Sequence, residues 1–176
     1  VYGESYISES IREATGRRRL FYIAFLATMA IFLAIAEHMI PKPLPWMRIG
    51  LANAVTLYAF TILRPKEVFL LVVSRTIAAS LLLGSFLSVT FILSFSGAIS
   101  SFCVMCLLYL FLRPWFSLVG ISVAGAFASN MTQLVIVNAL FIQSGLSYYF
   151  IPVLTGFALV GGILSGLFGR FLSENI

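Results

Sequence analysis

The residues of this chain that could do chemistry are a few polar side chains set into apolar runs: Glu37, His38, Arg48, Asn53, Arg75, Asn130 and Gln133. Arginine's planar fork suits a carboxylate, phosphate or carbonyl group. Glu37 offers acceptors to a ligand donor, and the amides of Asn53, Asn130 and Gln133 offer both donors and acceptors. Asn130 and Gln133 lie one helical turn apart, so both project to one side of a helix. Each residue also has a plainer reading. Glu37 could pair with Arg48 or Arg75, His38 could sit at a membrane interface, and the three amides could tie helices together.

Catalytic constellations are missing from the same inventory. The chain has no Asp, its six acidic residues are scattered Glu, and it has a single His. Clustered carboxylates for magnesium, a Ser/His/Asp set and a Gly-x-x-x-x-Gly-Lys phosphate loop are all absent from the sequence. Cys103 and Cys106 have Cys-x-x-Cys spacing inside an apolar run and read as small hydrophobes in a helix. The pattern therefore points to binding without catalysis, with no catalytic residue, metal or cofactor.

What must position these groups is a membrane bundle. With 61% hydrophobic and 10% charged residues, 176 residues cannot coat a water-soluble globule. The length accommodates about six helical spans of roughly 20 residues. The expected architecture is an all-α, polytopic six-transmembrane-helix bundle. It comprises a cytoplasmic lead-in over residues 1–19, a membrane domain over 20–170 and a cytoplasmic tail over 171–176. The net charge of +5 orients the chain in a bilayer, and no basic stripe interleaved with aromatics suggests nucleic acid.

In order, the spans are expected near 20–40, 49–63, 68–83, 90–112, 118–142 and 146–169. The first follows Arg17-Arg18-Arg19 and lacks a small-x-small cleavage site, so it reads as a span rather than a signal peptide. It carries Ala30-x-x-x-Ala34, a pair that lets helices approach closely, either within this bundle or against another subunit. Arg75 falls in the middle of the third span. Its cost in lipid, about 2.5–3.5 kcal/mol or more, directs it to the interior, a cavity or a partner. The sixth carries Gly162-x-x-x-Gly166 and then Gly169.

Alternation from an inner start puts Arg12, Arg17, Arg18, Arg19, Arg64, Lys66, Arg113 and Arg170 at cytoplasmic ends, and only Lys42 and Arg48 outside. That asymmetry predicts a multi-pass protein of the cell membrane with both termini cytoplasmic. Glu37 to Arg48 then lies at the external face. The run Pro41-Lys42-Pro43-Leu44-Pro45 there favours an extended path, as a lid or as a rigid connector. Trp46 and Tyr149 are candidate pocket walls.

Several blocks carry a family resemblance. Ile40-Pro41-Lys42-Pro43-Leu44-Pro45-Trp46, Arg48-Ile49-Gly50-Leu51-Ala52-Asn53, Ser74-Arg75-Thr76, Gly84-Ser85-Phe86-Leu87-Ser88 and Leu93-Ser94-Phe95-Ser96-Gly97 resemble the Gx transporter family. That family is also labelled heptaprenyl diphosphate synthase component I. Phe116 to Gly120, and Asn130 with Gln133, are similar too. Arg48 departs from the pattern, which has Lys there. The resemblance covers residues 20–170 and extends to the substrate-capture (S) components of energy-coupling factor (ECF) transporters. It implies a six-helix protein that binds a vitamin-like, anionic or flavin-like small molecule from outside. Its implied partners are a membrane coupling subunit, docked on Ala30 and Ala34 of the first helix, and two ABC-type ATPases. The substrate-binding set expected on residues and resemblance together is Glu37, Arg48, Asn53, Arg75, Asn130 and Gln133. Two further readings stand beside it: a non-catalytic accessory subunit of a prenyl diphosphate synthase, and a structural partner of a membrane redox complex.

Overall fold

A computed structural model describes residues 16–40, 50–112, 115–142, 149 and 151–175. Its helices are α1 (Gly16–Met39), α2 (Leu51–Ile62), α3 (Pro65–Leu82), α4 (Val89–Phe111), α5 (Leu118–Val137) and α6 (Ile151–Asn175). A π-helical turn, Asn138–Ile142, extends α5. Among the described residues there is no strand, and the chain is an all-α, multi-pass membrane bundle. Among the described residues, four segments are long and apolar enough to cross a bilayer alone: Leu20–Met39, Val89–Phe111, Leu118–Leu140 and Ile151–Ser173.

The boundaries follow local chemistry. Ser88 and Ser117 cap α4 and α5, their hydroxyls accepting from the N–H groups of Phe91 and Gly120 at 3.3 and 3.2 Å. Such caps satisfy amides that the first helical turn leaves without intrahelical partners. The charged turn Arg64-Pro65-Lys66-Glu67 between α2 and α3 also starts α3. Pro65 takes the first helical position, and the Glu67 carboxylate accepts from Arg64 N–H at 2.8 Å. At the opposite end of α3, Gly84 (φ 65°) and Leu87 (φ 61°) turn the chain through the left-handed region.

Helix α2 organises the bundle. Ten of its residues are buried, and it touches each of the other five helices. Twelve residues span only about 18 Å at 1.5 Å per residue, against a hydrocarbon core of about 30 Å. At least one of its ends therefore lies at membrane depth, enclosed by protein. Phe60 stacks between Phe102 and Tyr109 of α4, with ring centroids 5.7 and 5.4 Å away. The main core gathers Leu26, Ile62, Leu63, Val68 and Leu172. This brings the first half of α1, the end of α2, the start of α3 and the end of α6 to one end of the bundle.

Helix α6 packs closely on α5 through glycine. A Cβ added at Gly162 would fall 2.5 Å from Val123 Cα, and one at Gly166 would fall 2.6 Å from Val119 Cα. The Gly162-x-x-x-Gly166 pair is thus spent on intramolecular packing, where only a hydrogen fits between the backbones. Replacing either glycine by Ala should destabilise the fold by about 1–3 kcal/mol, read as a lower thermal midpoint in detergent. An unchanged midpoint would mean that α5 and α6 do not approach this closely.

Candidate functional site

The site is built around the N-terminus of α2. The first amides of a helix have no intrahelical acceptor, and in a bilayer each unsatisfied group costs several kcal/mol. Here the acceptor comes from another helix. Glu37, near the end of α1, accepts from Gly50 N–H through Oε1 at 3.1 Å and from Leu51 N–H through Oε2 at 3.0 Å. The carboxylate also faces the positive end of the α2 dipole.

Gly50 lets the chain enter α2 at that angle. Its φ of 90° lies in the left-handed region, and a Cβ there would sit 3.2 Å from Asn53 Nδ2. Its carbonyl accepts from Asn53 N–H at 2.8 Å and from Ser165 Oγ of α6 at 2.8 Å. One residue thereby joins α1, α2 and α6.

Arg75 approaches from the middle of α3. It is 3% exposed, turned inward as its cost in lipid requires, and its Nη2 donates to Asn53 Oδ1 at 3.2 Å. Glu37, Gly50, Asn53 and Arg75 share a cavity with Ala52, Ala98 of α4, and Ala126 and Ser129 of α5. The cavity offers about 20 Å³ to the centre of a water-sized sphere. That admits about one water, which needs roughly 10–15 Å³ on this measure. A larger solute requires the surrounding helices to part.

Of the expected binding residues, Glu37, Asn53 and Arg75 come together at this cavity. Asn130 and Gln133 are both buried on α5 but stand outside its lining. Asn130 Nδ2 reaches toward Leu154 O of α6 at 3.5 Å, whereas Gln133 Nε2 donates to Ser129 Oγ at 3.2 Å. Gly97 of α4 makes room for the second amide, since a Cβ there would fall 2.5 Å from Gln133 Nε2. Arg48, Trp46 and the proline run lie outside the described residues. His38 is exposed. Tyr149, a candidate wall, is 80% exposed and does not line the cavity. Ala30 is fully buried in the core cluster, and Ala34 is half-buried.

Gly50, Ser129 and Ser165 belong to the site yet carry little signal in the sequence. A glycine before a helix and small hydroxyls on buried faces were visible there, but nothing in their spacing showed that they meet. Among the described residues, no group of three or more His, Cys, Asp or Glu could hold a metal ion.

A buried carboxylate and guanidinium at the N-terminus of a short, enclosed helix define a membrane protein with a polar site inside an apolar bundle. The family described as heptaprenyl diphosphate synthase component I matches residues 26–172, and the chain is a member of that family. No curated protein and no solved structure matches the chain.

Removing the Glu37 cap strands the N–H groups of Gly50 and Leu51, one buried and one partly buried. Glu37→Ala should lower stability by about 1–3 kcal/mol, and Glu37→Gln, which keeps an acceptor oxygen, by less. Thermal unfolding in detergent checks the order, and equal midpoints for Ala and Gln would show that the carboxylate oxygens do not carry the cap.

Proposed function

We propose that this protein is a substrate-binding membrane component, like the S components of ECF importers, that captures a small vitamin-like solute and has no catalytic activity of its own. The observation that carries this reading is the cavity where Glu37, Asn53 and Arg75 meet at the start of α2. Ionisable groups inside membrane bundles mark ligand or ion pathways. Short helices whose N-termini face a binding site at membrane depth are a recurring device of transporters.

In this reading Arg75, with Arg48, engages an anionic or carbonyl group of the solute. Asn53, Asn130 and Gln133 meet its polar edges, while Glu37 holds the cavity wall or receives a donor. Opening toward the external face follows from the eight bases assigned to the cytoplasmic ends against two outside. The core contacts that gather the start of α1, the start of α3 and the end of α6 support that assignment. Energy would come from a coupling subunit and two ABC-type ATPases, docked along α1 with Ala34 as the more open member of its alanine pair.

A second reading rests on the family's description: the chain serves as a non-catalytic accessory component of a heptaprenyl diphosphate synthase. The two readings differ in what leaves the membrane with the protein. Under the capture reading, gently extracted protein releases a small solute on denaturation, and Arg75→Ala lowers its occupancy by at least tenfold, about 1.4 kcal/mol. Mass spectrometry of the released fraction measures both. Recovery of a prenyl synthase subunit without any solute would instead favour the accessory component.

A further inference from the structure

The buried face of α5 holds more hydrogen-bonding capacity than the protein uses. Ser122, Ala126, Ser129, Asn130 and Gln133 recur at spacings of three and four and are all buried, so they form one stripe on the helix. The cavity touches this stripe at Ala126 and Ser129. One turn further on, Asn130 Oδ1 and Gln133 Oε1 are buried without a hydrogen-bond partner, in side chains each 1% exposed.

The pattern within the two amides is specific. Asn130 gives its N–H to a backbone carbonyl, Leu154 O, which can only accept and so fixes which end of the amide is left over. Gln133 gives its N–H to Ser129 Oγ. Amides that merely glue helices together would be expected to find donors on the neighbouring helix for their carbonyls as well. Here the donor half of each amide is used and the acceptor half is not. Gly97 preserves the arrangement, because a Cβ on α4 would fall 2.5 Å from Gln133 Nε2 and 2.7 Å from Ser129 Oγ.

The geometry points to a ligand that brings its own donors. Arg75 supplies donors at one part of the site, and the carbonyl oxygens of Asn130 and Gln133 supply acceptors one turn beyond the cavity. A solute whose polar edge combines a carbonyl acceptor with N–H or O–H donors, as in an amide, imide or urea-like group, satisfies both. A simple carboxylate or phosphate would satisfy Arg75 and leave both carbonyls bare, a penalty that a buried site discriminates against. Gln133 and Asn130 are thus the residues that set specificity, with Gly97 as the position that keeps the Gln133 amide in place. This inference rests on the capture reading and narrows its substrate class from anions in general to donor-bearing carbonyl compounds.

The experiment is denaturing release and mass spectrometry of the small molecules that co-purify with the full chain. Hydrogen–deuterium exchange of the released species counts their N–H and O–H hydrogens. Wild type should release a solute with at least one such hydrogen beyond any acid proton. Gln133→Leu should lower its occupancy by at least tenfold. Gly97→Ala, which removes no polar atom but displaces the amide, should lower it severalfold, and it decides the matter if Gln133→Leu is not monodisperse on size exclusion. A released solute without such a hydrogen, or equal occupancy in the well-folded variants, overturns the inference while leaving solute capture intact. Release of no solute from wild type overturns the capture reading itself, and this inference with it.

Discussion

The structure depends on one carboxylate placed where a helix begins inside the membrane. Helix α2 is too short to reach water at both ends, so its first amides must find an acceptor within the protein. Glu37 provides it from α1, with hydrogen bonds of 3.1 and 3.0 Å to Gly50 and Leu51. Once α2 is held at that depth, Asn53 in its first turn meets Arg75 from α3, and Ser165 of α6 closes on the Gly50 carbonyl. Helices α1, α3 and α6 thus converge on the first turn of α2, and the cavity lies beside that turn, closed by Ala98 of α4 and by Ala126 and Ser129 of α5.

Close packing elsewhere makes that convergence compatible with lipid. Gly162 and Gly166 bring α6 against the α5 backbone, and the aromatic stack of Phe60, Phe102 and Tyr109 fixes α2 against α4. Outward faces carry Phe25, Phe32, Leu110, Val160 and Phe171, as a bundle solvated by hydrocarbon requires. The polar groups inside are therefore costly exceptions, and in membrane proteins such exceptions mark function.

Much of this is legible in the sequence because lipid imposes strong rules. Helix existence and order follow from apolar runs punctuated by Ser88, Ser117, Pro65 and Gly84, and the inward turn of Arg75 follows from its cost. The family membership is legible in the Gly50-to-Asn53 and Ser74-to-Thr76 blocks. Harder to read is the role of Glu37. Its bonds at 3.1 and 3.0 Å go to backbone amides, which look alike in any sequence. The different partners of Asn130 and Gln133 are hidden for a similar reason. Their spacing gives a common face, but the contacts at its two edges, Leu154 on α6 and Gly97 on α4, depend on how three helices assemble. Nor does the twelve-residue length of α2 reveal that it is the central helix. That follows only from its burial on all sides.

The central claim is that Glu37 holds the start of α2, and amide hydrogen exchange at Gly50 and Leu51 tests it most directly. These two N–H groups have no intrahelical acceptor, so their protection reports on the carboxylate of α1. In lipid nanodiscs, both should exchange slowly in the wild type and at least tenfold faster in Glu37→Ala, while amides in the middle of α2 keep their protection. Equal exchange at Gly50 and Leu51 in the two proteins would contradict the account.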